Sequence, residues 1–180
     1  LGGICLNWGC IPTKSLLKSA QVYDYLNHAS DYGIRIEGDV KADFSAMVAR
    51  SRSVADGMSK GIQFLFKKNN IVHINGFGRL QGSNSVEVED SEGKKSSYTA
   101  GNIILVIVSR SKELPNLLQD GIKIIGYREA MTLGKQPSSM VVVGSGAIGS
   151  EFANFYQTIG TNVTLIEFLP RIVPNEDEEV

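Results

Sequence analysis

Two cysteines carry the most legible chemistry in this chain. Cys5 and Cys10 bracket Leu6-Asn7-Trp8-Gly9 in a C-x4-C spacing, and they are the only 2 cysteines among 180 residues. A thiolate zinc site would need more ligands, and the histidines, His28 and His73, stand at no familiar ligand spacing, so no metal site is expected. Two cysteines this close in an otherwise ordinary chain point to redox chemistry rather than to a secreted disulfide scaffold. The spacing does not fit thioredoxin-like sites, which have two residues between their cysteines. Five steps along a regular helix rise about 7.5 Å, whereas a disulfide holds its Cα atoms roughly 4.4–6.8 Å apart. Pairing would therefore require Leu6 to Gly9 to form a loop or distorted turn, with Gly9 supplying the freedom. A pair of buried free thiols suits the spacing equally well. In either case Cys10 stands just before Pro12, a residue that fits a helix's first turn. Backbone N–H groups and the helix dipole there favour a thiolate.

The second chemical signal is Gly144-Ser145-Gly146-Ala147-Ile148-Gly149, which matches G-x-G-x-x-G. Its context suits a dinucleotide site. The apolar strand pattern Met140 to Val143 precedes it, a helical pattern follows, and a second strand ends in Glu167, 18 residues beyond Gly149. Gly144 permits the tight turn, Gly146 lets backbone N–H groups approach a pyrophosphate, and Gly149 lets helix and strand pack closely. The pyrophosphate would lie at the helix N-terminus. A carboxylate at Glu167 would accept from both ribose hydroxyls and repel a 2′-phosphate.

The elements that must position these groups follow from periodicity. Pro12 to about Asn27 reads as a helix with Leu16, Leu17, Ala20, Tyr23 and Leu26 on one stripe. Asp43 to Asn69 reads as a second, with Phe44, Met47, Val48, Val54, Met58, Ile62, Leu65 and Phe66 facing a core. Ile71 to Leu80, Ser85 to Glu89 and Lys95 to Thr99 form an antiparallel meander separated by turn-rich segments. Gly76 and Gly78 interrupt its first strand and suggest a bulge or close backbone approach. Asn102 to Val108 suits a strand buried on both faces. Ser109 to Leu118 is a polar crossover and the expected domain boundary. A second α/β pattern follows: a short strand Ile122 to Ile125, a short helix Arg128 to Leu133, strand Met140 to Val143, helix Ala147 to Ile159 and strand Asn162 to Ile166.

Bulk composition narrows the class. The chain is 42% hydrophobic and 21% charged, with a net charge of −1. Nothing in that balance suggests a nucleic acid or an anionic membrane as partner. The longest uncharged apolar run, Ile103 to Val108, is far short of a membrane span. The chain opens on Leu1 and ends on Asn175-Glu176-Asp177-Glu178-Glu179-Val180, so it reads as part of a longer protein. The acidic run is expected to begin a helix, where it complements the dipole.

The string Gly2-Gly3-Ile4-Cys5-Leu6-Asn7-Trp8-Gly9-Cys10-Ile11-Pro12-Thr13-Lys14 resembles the active-site signature of the class I flavoprotein pyridine nucleotide-disulfide oxidoreductases. It is most similar to the version in the dihydrolipoyl dehydrogenase family. Both glycines of the opening pair, both cysteines, Asn7, Gly9, Pro12 and Lys14 fall in register. The likeness runs through the whole chain in element order. It implies an α/β, FAD/NAD(P)-binding Rossmann-like two-domain fold, truncated, with a small antiparallel meander in the FAD domain. Residues 1–111 would be the central part of the FAD-binding domain with the redox disulfide, and 112–180 the first part of the NAD-binding domain. Cys5 would be the interchange thiol and Cys10 the thiolate facing the flavin. Lys14 would lie near the flavin's reactive nitrogen, paired with Glu151. Gly2, Gly3 and Gly78 would approach FAD through their backbones. Gly144, Ser145, Gly146, Ala147, Ile148, Gly149, Glu151 and Glu167 would hold NAD.

The resemblance also implies a reaction. The redox disulfide oxidises dihydrolipoamide to lipoamide, with FAD as relay and NAD as acceptor. The dihydrolipoamide would be carried on a lipoyl protein of 2-oxo acid dehydrogenase or glycine cleavage complexes. The enzyme would be a cytoplasmic homodimer with a part in cell redox homeostasis. The family's first FAD-binding glycine motif would lie before Leu1. Its interface domain, with a His–Glu base that neither His28 nor His73 matches, would lie beyond Val180. The 180 residues alone are therefore expected to be inactive. A departure lies inside the chain: the family has Ala-Thr-Gly where this sequence has Val106-Ile107-Val108. A β-branched residue in place of that glycine is expected to clash with FAD or to strain the turn by about 1–3 kcal/mol, unless the strand shifts and the apolar trio improves its packing at no cost to the cofactor. Two other readings remain. One is a glutathione- or mercuric-type disulfide reductase, many of which prefer NADPH and carry basic residues near the position of Glu167. The other is a non-catalytic truncated remnant. Glu167 yields a prediction that separates the first of these. The intact enzyme should reduce NAD far faster than NADP, and equal initial rates with the two would mean that Glu167 does not reach the ribose.

Overall fold

The computed structural model of the chain describes residues 1–107 and 111–179. In chain order its elements are α1 (Gly3–Trp8), α2 (Cys10–Asn27), a 3-10 turn (Ala29–Tyr32), α3 (Phe44–Lys68), β1 (Phe77–Leu80), β2 (Ser85–Glu89), β3 (Lys95–Thr99), α4 (Tyr127–Met131), β4 (Ser139–Val143), α5 (Ala147–Thr158) and β5 (Asn162–Ile166). They fall into two compact units: Leu1–Lys60 with Ser111–Val180, and Gly61–Arg110.

The first unit is built on one apolar contact. Leu16 and Ala20 of α2 meet Phe152, Phe155 and Tyr156 of α5, with Phe44, Met131 and Ile159 completing the buried cluster. Pro12 is also fully buried in the first turn of α2. Leu17 and Tyr23 pack partly against the cluster, while Leu26, the last residue of the expected stripe, stays exposed. Tyr156 donates its hydroxyl to the Ala130 carbonyl and so docks α4 onto α5. Burial pushes its phenol well above the usual tyrosine range. β4 and β5 pair in parallel, from Ser139 opposite Asn162 to Val143 opposite Ile166, with α5 as the crossover. Met140 and Val163 pack on the core, while Val141, Val143 and Ile166 face outward.

The second unit is the expected meander. β1 and β2 pair antiparallel, as do β2 and β3. β1 is shorter than the expected Ile71 to Leu80. Its start is set by Gly76 at φ +154°, where an added Cβ would lie 2.6 Å from the Glu89 carbonyl oxygen. This is the close approach that the sequence suggested. Gly78 is different: a Cβ there would make ordinary contact with Val86 at 3.5 Å.

Several expectations are corrected. Residues 102–107 form no strand, and Ile104, Leu105, Val106 and Ile107 are exposed. A strand needs neighbours for its N–H and C=O groups, and no described residue pairs with this run. Val108, where the Val106-Ile107-Val108 reading places its strained turn, lies outside the described residues. So do Ser109 and Arg110 of the expected crossover. Residues 122–125 form a turn instead of a strand, because Asp120 Oδ1 accepts the N–H groups of Ile122, Lys123 and Ile124 at 2.8–2.9 Å. The apolar stripe of α3 packs on the main core at its start, by way of Phe44, Met47 and Val48, and its Ile62 and Phe66 are half-buried in the second unit. Beyond Val48 the buried positions belong to small residues, Ser51 and Ala55, while Val54, Met58 and Leu65 are exposed. The acidic run forms turns rather than a helix, with Asp177 Oδ1 accepting the Glu179 N–H at 3.0 Å in the manner of a helix cap. Finally, α1 was not anticipated.

Phe155 is only 1% exposed at the centre of the α2–α5 contact. Phe155→Ala should therefore lower the urea-unfolding free energy of the chain by about 3–5 kcal/mol. Ile122→Ala, at an exposed turn, should stay within about 0.5 kcal/mol of the parent. Equal effects at the two sites would mean that the α2–α5 core does not organise the unit.

Candidate redox and dinucleotide site

The site starts at a short helix that breaks on one residue. α1 carries Cys5, and Leu6 to Trp8 remain helical instead of forming the loop that pairing was expected to demand. The chain turns at Gly9 alone, with φ −141° and ψ −120°, and α2 begins at once with Cys10. An ideal Cβ on Gly9 would stand 3.1 Å from both the Cys5 Cα and the Ile4 carbonyl oxygen. Absence of that atom lets the turn fold Cys10 back toward Cys5. Both cysteines are free thiols and both are exposed, so they are not buried thiols. The neighbouring Cys10 holds the Cys5 thiol above its ordinary pKa.

One turn after Cys10, Lys14 forms an ion pair with Glu151 of α5. The hydrogen bond and charge of Glu151 raise the Lys14 ammonium above its ordinary range, and the nearby Cys10 adds to this. The structure thus brings together Cys5, Cys10, Lys14 and Glu151, which come from two distant stretches of sequence. α1 is held from a third stretch. Arg52 of α3 donates to the Asn7 carbonyl and lies over the Trp8 ring, 4.5 Å from its centroid. No motif or spacing in the sequence pointed to Arg52.

Glu151 is two residues past the glycine turn. Gly144 has φ +99°, a left-handed conformation that favours glycine. A Cβ on Gly149 would sit 1.9 Å from the Gly144 carbonyl oxygen, so only glycine lets α5 start this close to β4. A Cβ on Gly146 would meet nothing within 4 Å. Gly146, Ala147 and Ile148 form an exposed backbone edge at the α5 N-terminus. Glu167 follows β5 and is tied to the turn. Its Oε2 accepts the Ser145 N–H at 2.8 Å and the Ser145 hydroxyl at 2.7 Å, and its Oε1 accepts the Leu169 N–H at 2.9 Å. The sequence placed Ser145 in the motif but gave no sign of this link, which joins residues 22 apart. The same hydroxyl accepts the Val173 N–H at 3.1 Å, and Ser145 is fully buried.

At the other end, Gly2 and Gly3 adopt φ +97° and +66°, and a Cβ on Gly3 would meet nothing within 4 Å. Gly78 belongs to the second unit. His28 is exposed and contacts Asp24, and His73 meets the Phe66 ring edge-on. Among the described residues no helix is long and apolar enough to cross a membrane, and no group of three acidic, histidine or cysteine residues could hold a metal ion.

Adjacent thiols linked by an ion pair to the helix of a nucleotide-type glycine turn define a class: the dinucleotide-dependent thiol oxidoreductases. The sequence profile of one such family matches residues 1–180, and the chain belongs to the pyridine nucleotide-disulphide oxidoreductases. It is 43% identical over 194 residues to a dihydrolipoyl dehydrogenase of Rhizobium etli, covering all of this chain and 40% of that protein. A dihydrolipoyl dehydrogenase of Zymomonas mobilis is 44% identical over 182 residues, covering all of this chain and 38% of that protein. The crystal structure of LpdA from Mycobacterium tuberculosis matches with a TM-score of 0.90 at 25% identity, over 99% of this chain and 39% of that one. The chain thus spans about two fifths of the length of the curated relatives it matches.

The cofactors that go with this family are FAD and NAD(H). The residues present fit them. The open backbone at Gly146, at a helix N-terminus, is a cradle that a side chain would fill. Gly3, at the start of α1, offers similar room.

The tie between Glu167 and the turn should be visible in acid. Donation from Leu169 and then from Ser145 pulls its carboxyl from 4.5 down to about 2. A depressed folded pKa contributes stability that is full above pH 4.5 and lost as pH falls through about 2. The Ser145 and Leu169 amide resonances should titrate with that low midpoint, and Glu167→Gln should remove the titration. A wild-type midpoint above about 4 would mean that the carboxylate does not engage the turn.

Proposed function

We propose that this chain supplies the redox-disulfide and nicotinamide-turn parts of a dihydrolipoyl dehydrogenase. Residues 1–111 belong to its FAD-binding domain and 112–180 to its NAD-binding domain. The observation that carries the reading is the Lys14–Glu151 ion pair, which couples the helix beginning at Cys10 to the helix of the glycine turn.

Cys5 is the exchange thiol. In the disulfide form, a substrate thiolate attacks the Cys5 sulfur, the Cys5–Cys10 bond breaks, and Cys10 leaves as a thiolate. The second substrate thiol then displaces Cys5, and the substrate closes its own disulfide. Two electrons are left on the protein dithiol. Lys14, kept charged by Glu151, stabilises the negative sulfur of Cys10. FAD and NAD, when bound, supply the two-electron relay and the hydride acceptor. Gly2 and Gly3 let backbone approach the flavin nucleotide. Gly144 to Gly149 present backbone N–H groups to the NAD pyrophosphate, and Glu167 selects the unphosphorylated ribose. The substrate is dihydrolipoamide on the lipoyl protein of a 2-oxo acid dehydrogenase or glycine cleavage complex. The enzyme works as a cytoplasmic homodimer, without a nucleic-acid or membrane partner.

In the intact enzyme, Cys5→Ser and Cys10→Ser should each abolish dithiol oxidation. The long-wavelength absorption of a thiolate against flavin should persist only in Cys5→Ser. A band retained by Cys10→Ser would reverse the two roles, and turnover by either variant would refute the dithiol mechanism.

A further inference from the structure

α1 is too short to hold itself. It has six residues, no side-chain cap at Gly2 or Gly9, no acidic residue in its first turn and no basic residue in its last. Isolated helices need roughly 12–15 residues even to be marginal in water. The carbonyls of its last turn have no partner within the helix. Something outside α1 must therefore fix its orientation. That orientation decides where Cys5 lies, because Cys10 stands on α2, whose position is set by the Leu16–Ala20 contact with α5.

Burial of Leu6 and bonds between Leu1 and Ser59 of α3 hold the start of α1, and a second side chain of α3 holds its end. Arg52 donates through Nη2 to the Asn7 carbonyl, one of the orphan acceptors at the negative end of α1. Its guanidinium also covers the Trp8 ring at 4.5 Å, and Arg128 of α4 approaches the same ring at 5.5 Å. Its other terminal nitrogen reaches the Met131 sulfur at 3.6 Å, which ties it to the buried core. Arg50, two residues earlier and on a different face of the same helix, does something else: it bonds Ser15 of α2 at 2.7 Å and makes no hydrogen bond to α1. A lysine at position 52 could keep the charge but not the planar stack on Trp8 together with the fork of donors.

We propose that Arg52 is a positioning residue for the dithiol: by gripping Asn7 and Trp8 it fixes the angle of α1 on the far side of the Gly9 turn, and so where the Cys5 sulfur stands relative to Cys10. This rests on the reading of Cys5 and Cys10 as a redox pair. It implies that Arg52 sets how readily the disulfide closes. In exchange with oxidised glutathione, the Cys5 thiolate attacks one glutathione sulfur and expels the other as a thiolate. Cys10 then attacks the Cys5 sulfur of the mixed disulfide and expels the second. Two electrons pass from the protein thiols to glutathione, and the two released protons end on the glutathione thiols. The second step depends on the placement of the two sulfurs, which is where Arg52 acts.

The test is the dithiol–disulfide equilibrium of the 180-residue chain in reduced and oxidised glutathione buffers, read by thiol labelling and mass. Arg52→Ala should lower the equilibrium constant for Cys5–Cys10 closure about tenfold, equivalent to ~1.4 kcal/mol. Arg52→Lys should lower it less, and Arg50→Ala should leave it unchanged whatever its effect on unfolding. Circular dichroism and the urea midpoint establish which variants are folded. If Arg52→Ala does not fold, Arg52→Lys carries the comparison with Arg50→Ala. A folded Arg52 variant whose constant equals that of Arg50→Ala overturns the positioning role and leaves the redox pair standing. A wild-type chain that forms no Cys5–Cys10 disulfide overturns the redox pair itself, and this inference with it.

Discussion

Packing of α2 on α5 is the constraint on which the chemistry of the first unit depends. α2 begins at Cys10 and α5 begins at the glycine turn, so two stretches of sequence more than a hundred residues apart are brought side by side by Leu16, Ala20, Phe152, Phe155 and Tyr156. These side chains are buried to a few per cent exposure, and cores of this density do not tolerate sliding. Burial of this apolar surface supplies the stability, at roughly 25 cal/mol per Å² removed from water. The Lys14–Glu151 pair at the rim inherits its geometry from that contact. A slip of one helical turn would carry Lys14 past Glu151 and separate the thiols from the nucleotide turn.

Two glycines make the same kind of contribution at opposite ends of this frame. Gly9 lets the backbone turn against Cys5 and Ile4, and Gly149 lets α5 start against Gly144. In both places the missing atom is the functional feature. In each case the residue brought close, Cys10 or the open Gly146 edge, is also exposed. Tight packing beneath and an open surface above is the arrangement expected of a site that must be rigid and still admit a partner.

What the sequence revealed depended on the range of the interactions involved. β2, β3 and β5 occur where alternation and turn residues put them, and α5 ends within one residue of expectation, because those signals are local. The glycine roles at Gly144 and Gly149 were readable for the same reason. Readings that relied on partners did worse. Residues 102–107 have the composition of a central strand, but a strand exists only through its neighbours. The stripe of α3 looked uniform, yet only the part near Phe44 packs against the main core, and Val54, Met58 and Leu65 are exposed. Arg52, Arg128 and the Ser145–Glu167 link act across 22 or more residues and leave no periodic trace. C-x4-C was legible as a pair but not as a geometry, since that geometry comes from a single Gly9 turn and from Arg52 on another helix.

The Lys14–Glu151 pair does not serve mainly to hold the fold. The Lys14 side chain is 67% exposed and that of Glu151 29%, and exposed ion pairs contribute about 0–1 kcal/mol. Its value lies in where it fixes a charge. Glu151 raises the Lys14 ammonium above its ordinary range and so holds it in its charged form, one helical turn from Cys10. A free lysine at that position would also be charged at neutral pH, but it could swing away. Anchoring to α5 removes that freedom and keeps the ammonium beside Cys10. The pair thus converts the packing energy of the α2–α5 core into a fixed electrostatic field at the thiols. This explains why a weak surface contact can matter more to the chemistry than to the stability.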